Sequence, residues 1–81
     1  MPKTIHDPRY HRLTAHLRSS RKKESLLQAD VARHLGVSRT WVSKMESCEL
    51  RVDILQTAHL FRLCNVRLAD ALRASGLWSD R

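Results

Sequence analysis

The chain has 81 residues, 42% of them apolar, and a formal net charge of +7, which suits one small domain but leaves too little material for a buried catalytic cavity and its supports. Such a charge favours a polyanionic partner, because each Lys or Arg set on a phosphate releases condensed counterions. No run of roughly 18 apolar residues and no signal-peptide pattern is present, so a cytoplasmic protein away from the membrane is expected.

Residues 1–7 lack periodicity and read as a basic lead-in without fixed order. Asp7-Pro8 marks a helix start, since Asp accepts first-turn amides and Pro gives up a donor that would be orphaned anyway. The first helix is predicted from Pro8 to about Ser19, burying Tyr10, Leu13 and Leu17. The segment Ser19–Glu24 then reads as a loop or frayed end. The basic cluster Arg18, Arg21, Lys22 and Lys23 is there a solvated face able to attract phosphate without specificity. Ser25 and Gln28 have capping-box spacing for a second helix over Gln28–Leu35. Gly36 stops that helix, and Ser38 caps a third over about Arg39–Ser47. Asp53 and Gln56 form another capping box, opening a fourth helix with Ile54, Leu60, Phe61 and Cys64 inward and its end near Asn65. Val66-Arg67 is a minimal connector to a fifth helix, Leu68–Ser75, with Leu68, Ala71 and Leu72 inward and Gly76 closing it. The domain should thus span 8–76. Residues 77–81 form a short tail whose Leu77 and Trp78 would dock on the core or, with the outer part of the fifth helix, on a second subunit. With two glycines, two prolines and no repeat, the chain reads as all-α.

The functional stretch is Gln28 to Glu46. Val31, Ala32 and Leu35 recur at helical spacing before Gly36, and Val37, Val42 and Met45 do so after it, so two apolar stripes face one core. The face left outside carries Arg39, Thr40, Ser43 and Lys44. A short helix buried at its back and carrying basic and small polar groups in front is suited to the major groove.

Gln28, Ala32, Gly36, Ser38, Val42 and Glu46 fall on the spacing Q-x3-A-x3-G-x-S-x3-V-x3-E. With Val42-Ser-Lys-Met-Glu-Ser-Cys-Glu-Leu-Arg-Val-Asp53 following, the stretch from about Leu13 to Leu72 resembles the Cro and phage-repressor type of helix-turn-helix, the XRE family. The resemblance implies a five-helix, lambda-repressor-like domain that binds operator DNA as a homodimer and regulates transcription, most often as a repressor, in bacteria or phage. It further implies DNA base contacts from Arg39, Thr40, Ser43 and Lys44, backbone contacts from Gln28 and Ser38, and a structural pair of Glu46 with Arg51. Three positions depart from the pattern. Cys48 stands where relatives commonly have Gly, Leu27 replaces the usual Thr, and Trp41 is large for a recognition helix, with a ring that either meets a thymine methyl or folds back on the core.

Other chemistries find little support. His6, His11 and His16 recur every five residues, a step of about 140° on a helix, so their rings do not converge on one metal ion. Cys48 and Cys64 lack the pairing of a zinc site or a disulfide scaffold. No nucleophile, acid, base or cofactor set converges, so no catalysis is expected. An RNA binder would need interleaved aromatics for stacking, which are missing. The alternative from another class is an antitoxin-like module whose main partner is a protein such as a toxin and whose DNA binding is autoregulatory.

Overall fold

The computed structural model describes residues 6–78; the expected lead-in over 1–5 and the tail residues 79–81 lie outside that range. The described residues form helices α1 (Pro8–Lys23), α2 (Gln28–Leu35), α3 (Arg39–Glu46), α4 (Ile54–Leu63) and α5 (Leu68–Ser75), and contain no strand.

Asp7 caps α1 as its sequence suggests, accepting the Arg9 amide at 2.8 Å, and the Arg9 guanidinium grips the same carboxylate at 2.7 Å. These bonds hold the Asp7 carboxyl down at about 2. The helix then runs past Ser19 to Lys23, which corrects the expected basic loop. The reason is a buried stripe of Thr14, Leu17 and Arg21 on its inner face. Two of these three are polar, which hides the helical period from a count of apolar residues. Arg21 is buried because its charge is met: besides an ion pair with Glu46, its guanidinium donates to the Leu26 carbonyl at 2.7 Å.

All five described helices end the same way. A residue with positive φ follows each, namely Ser25, Gly36, Cys48, Asn65 and Gly76. The next amide reaches back to a carbonyl of the last turn: Leu26 to Arg21, Val37 to Ala32, Glu49 to Lys44, Val66 to Phe61 and Leu77 to Leu72, at 2.7–3.0 Å. This satisfies carbonyls that a helix end leaves orphaned. Ser25 is therefore the terminator of α1, and the expected Ser25–Gln28 capping box does not form. Leu27 is the N-cap of α2; Asp30 accepts its amide at 2.8 Å, but Leu27 has no side-chain acceptor to return the bond. The box predicted for α4 is complete, with Gln56 N donating to Asp53 at 2.7 Å and Asp53 N to Gln56 at 3.0 Å.

Every helix contributes to one core, made of Leu17, Val31, Ala32, Val42, Met45, Leu60, Phe61 and Ala71. Val31 and Val42 are fully enclosed, each removing apolar surface from water for a gain of roughly 1.5–3 kcal/mol. Two expected core residues are outside, Ile54 at 83% and Leu68 at 60% exposure. Each is the first residue of its helix; side chains lean toward the N-terminus, so at that position they project beyond the packed turn. Val52 and Val66, in the connectors, fill the adjacent space against the core.

Three tertiary bonds pin the ends of the later elements to α1. The half-buried Tyr10 donates its hydroxyl to the Leu50 carbonyl at 2.7 Å, Arg12 Nε donates to the Ser75 carbonyl at 3.0 Å, and the Thr14 hydroxyl lies 3.0 Å from the Cys48 sulfur. Cys48 has φ 63°, so the turn keeps the left-handed geometry suited to Gly and accommodates a Cβ, with the thiol seated on Thr14. Among the described residues no buried side-chain nitrogen or oxygen lacks a partner, and no helix is long and apolar enough to cross a membrane.

Candidate nucleic-acid interface

The turn between α2 and α3 is specified by backbone and side chain together. Gly36 has φ 72°, and a Cβ placed there would meet nothing within 4 Å; glycine serves the left-handed conformation rather than a close contact. Ser38 then accepts the Trp41 amide at 3.0 Å, fixing the first turn of α3. Its hydroxyl hydrogen stays free of that bond, so an exposed Ser38 can cap the helix and still donate to an anion.

Val42 and Met45 are at 0% and 1% exposure, anchoring one side of α3. Arg39, Thr40, Ser43 and Lys44 are all exposed on the other. Trp41 is half-buried and packs against the core cluster; of the two placements open to it, the fold adopts the inward one. The outer face of α3 is consequently made of a guanidinium, an ammonium and two hydroxyls.

Behind that face lies an ionic centre that fastens three helices. Arg21 of α1 forms a two-point fork on Glu46 at the end of α3, at 2.6 and 3.1 Å, and the two side chains are only 9% and 6% exposed. Gln28, at the start of α2, donates its amide nitrogen to Glu46 Oε1 at 3.0 Å. Arg18 approaches the same oxygen at 3.9 Å with its side chain 56% exposed. The expected pairing of Glu46 with Arg51 is thereby corrected: α1 supplies the cations that meet the carboxylate, because α1 extends far enough to lay Arg18 and Arg21 beside it. Gln28 gives its amide to Glu46 in place of the predicted capping box.

Arg18 and Arg21 are the residues of this region that reading the sequence left in an undifferentiated basic cluster. One signal did exist, since Arg21 lies about one turn beyond Leu17 and about two beyond Thr14, on the same helix face. Elsewhere on the interface, Asp30 is held below the usual carboxylate range, first by the Leu27 amide and then by Arg33, whose guanidinium lies 2.8 Å away. That acidic group is thus occupied locally and partly neutralised beside the basic face.

Compared with known proteins, residues 12–77 match a family model described as a helix-turn-helix domain. No curated protein and no solved structure matches the chain.

Proposed function

Because the chain belongs to the helix-turn-helix domain family, of XRE-like type, over residues 12–77, we propose that it is a transcriptional regulator, a repressor, that recognises a double-stranded DNA operator through α3 in the major groove. The observation that carries this reading is the division of α3 into a buried side, Val42 and Met45, and an exposed side, Arg39, Thr40, Ser43 and Lys44. A helix pinned from behind can hold side chains in register with base edges. Arg39, Thr40, Ser43 and Lys44 then make the base contacts, while Gln28 and Ser38, at the starts of α2 and α3, take backbone phosphates. Trp41 supports the helix from inside. The chain acts in the cytoplasm, on nucleoid DNA.

A homodimer follows from the size of the site, since one such helix reads too few base pairs to define an operator, and two half-sites about one helical turn apart supply the remainder. Its surface is Leu77, Trp78 and the outer part of α5; Leu77 and Trp78 are 44% and 56% exposed. A second reading draws on the same kind of observation. Ile54 and Leu55 at the start of α4 are 83% and 80% exposed, and apolar exposure of this order suits a foreign protein, as in an antitoxin-like module whose DNA binding is autoregulatory.

Selection of binding sites from random duplexes tests the main reading, repeated with Arg39→Ala and Lys44→Ala. The expected outcome is a palindromic preference, relaxed at one position of each half-site by Arg39→Ala with a loss of roughly 1–3 kcal/mol. No sequence preference in the wild type, or one that survives both substitutions unaltered, would sink the assignment of α3.

A further inference from the structure

Glu46 brings together two donors from different helices. Its Oε1 accepts the Gln28 amide nitrogen at 3.0 Å, and Arg18 Nε stands 3.9 Å from that same oxygen. The two are therefore neighbours at the junction of α1 and α2. We propose that Arg18 and Gln28 form a two-donor clamp for one phosphate of the nucleic-acid backbone, with Glu46 as the positioning residue that sets both; the proposal rests on the nucleic-acid reading above.

The chemistry of each group fits this role. An ionised carboxylate only accepts, so Gln28 must turn its NH2 end toward Glu46 and cannot present its carbonyl there. One N–H of that end is used by Glu46, and the second is left for an external acceptor. The Arg18 distance is too long for a hydrogen bond; the carboxylate restrains the guanidinium by attraction without consuming its donors, and the side chain is 56% exposed. A carboxylate this close to a phosphate would ordinarily repel it. Here the buried Arg21 fork, at 2.6 and 3.1 Å, meets Glu46 from below, so its charge is cancelled and the positive charge of Arg18 is what the surface presents. The first turn of α2 adds oriented amides beside Gln28, with no side-chain acceptor on Leu27 to occupy them.

The test separates positioning from simple charge. Binding of a labelled duplex of about 20 base pairs, enough for two half-sites, is measured against salt concentration for wild type, Arg18→Ala, Gln28→Ala, their double variant, Glu46→Gln and the paired change Arg21→Met with Glu46→Leu. Removing an acid from a DNA-binding surface should tighten binding if charge alone matters. The clamp predicts the opposite, a loss of about tenfold for Glu46→Gln and for the paired change, of the size of one charge-assisted hydrogen bond. The paired change keeps the site charge-balanced and apolar, so thermal unfolding should show it folded. Arg18→Ala should lower the slope of log affinity against log salt by about one phosphate, and its effect should be less than additive with Gln28→Ala, because both act on one group. If wild type binds and the Glu46 variants bind as well or better while folded, or if Arg18→Ala and Gln28→Ala add independently, the clamp is wrong and the recognition-helix reading is untouched. If wild type binds no duplex at all, the nucleic-acid reading itself fails.

Discussion

At the scale of single residues, Glu46 concentrates most of the electrostatic design. It sits at the end of α3 with its side chain 6% exposed, where an acid is tolerated only because Arg21 meets it. Glu46→Leu alone should leave Arg21 buried without a counter-charge and lower stability by about 3–5 kcal/mol, whereas adding Arg21→Met should recover most of that loss; chemical denaturation of the three proteins gives the comparison. Recovery failing in the paired variant would mean that the ion pair contributes more than charge balance. The pairing could not be read from the chain, because Arg21 and Glu46 are 25 positions apart; the spacing from Thr14 and Leu17 marks Arg21 as facing inward but does not say which carboxylate it meets. Arg51, nearer in sequence, was the natural but incorrect choice. Trp41 was undecidable for a similar reason, since a half-buried ring is placed by the volume left between helices. By contrast, Arg39, Thr40, Ser43 and Lys44 could be identified as exposed directly from the period of Val42 and Met45.

At the scale of elements, starts and stops written in local chemistry were legible and those written in tertiary contacts were not. Asp7, Gly36, Ser38, Asp53 with Gln56, Asn65 and Gly76 act where they stand, since each makes or permits a bond within a few residues. The end of α1 escaped because its last turn is held by the buried Arg21; α2 starts at Gln28 as expected, but its cap was assigned to the wrong residue because Ser25 is spent on terminating α1. The cap of α2 is left half made: Asp30 serves the Leu27 amide, and Leu27 itself, 67% exposed, has no acceptor. Leu27→Thr should complete the reciprocal box and stabilise the domain by about 0.5–1 kcal/mol. A melting temperature unchanged or lowered by this substitution would show that Leu27 is held by packing instead. The outward placement of Ile54 and Leu68 was hidden for an allied reason: a periodic count treats the first residue of a helix like its interior, although no preceding turn exists there to bury it.

For the whole molecule, stability should fall on the alkaline side through two protons, one on the buried Cys64 thiol and one on the half-buried Tyr10 hydroxyl. Burial raises both the Cys64 thiol and the Tyr10 hydroxyl above their ordinary values. In the unfolded chain these groups release protons first, so the folded state binds more protons and stability falls as pH rises. The full contribution is present below the ordinary thiol value of 9.0 and is lost progressively above it. Thermal melts from neutral pH upward should decline through this range, and Cys64→Ala, though less stable at neutral pH because it opens a cavity, should decline less steeply. An equally steep decline in that variant would assign the effect to other groups.

The bond from Arg12 to the Ser75 carbonyl also bears on how the chain is wired. It joins the early part of α1 to the end of α5, and these two helices share the broadest contact in the fold, so the path through space closes nearly into a ring. In a ring the position of the break is a matter of convenience. A circular permutant that links Trp78 to Pro8 through a flexible Gly/Ser segment and opens the chain at Glu49, in the connector between α3 and α4, should fold to the same helical content. Opening it instead at Gly36 would cut the turn that sets the start of α3, and such a permutant should fold less stably.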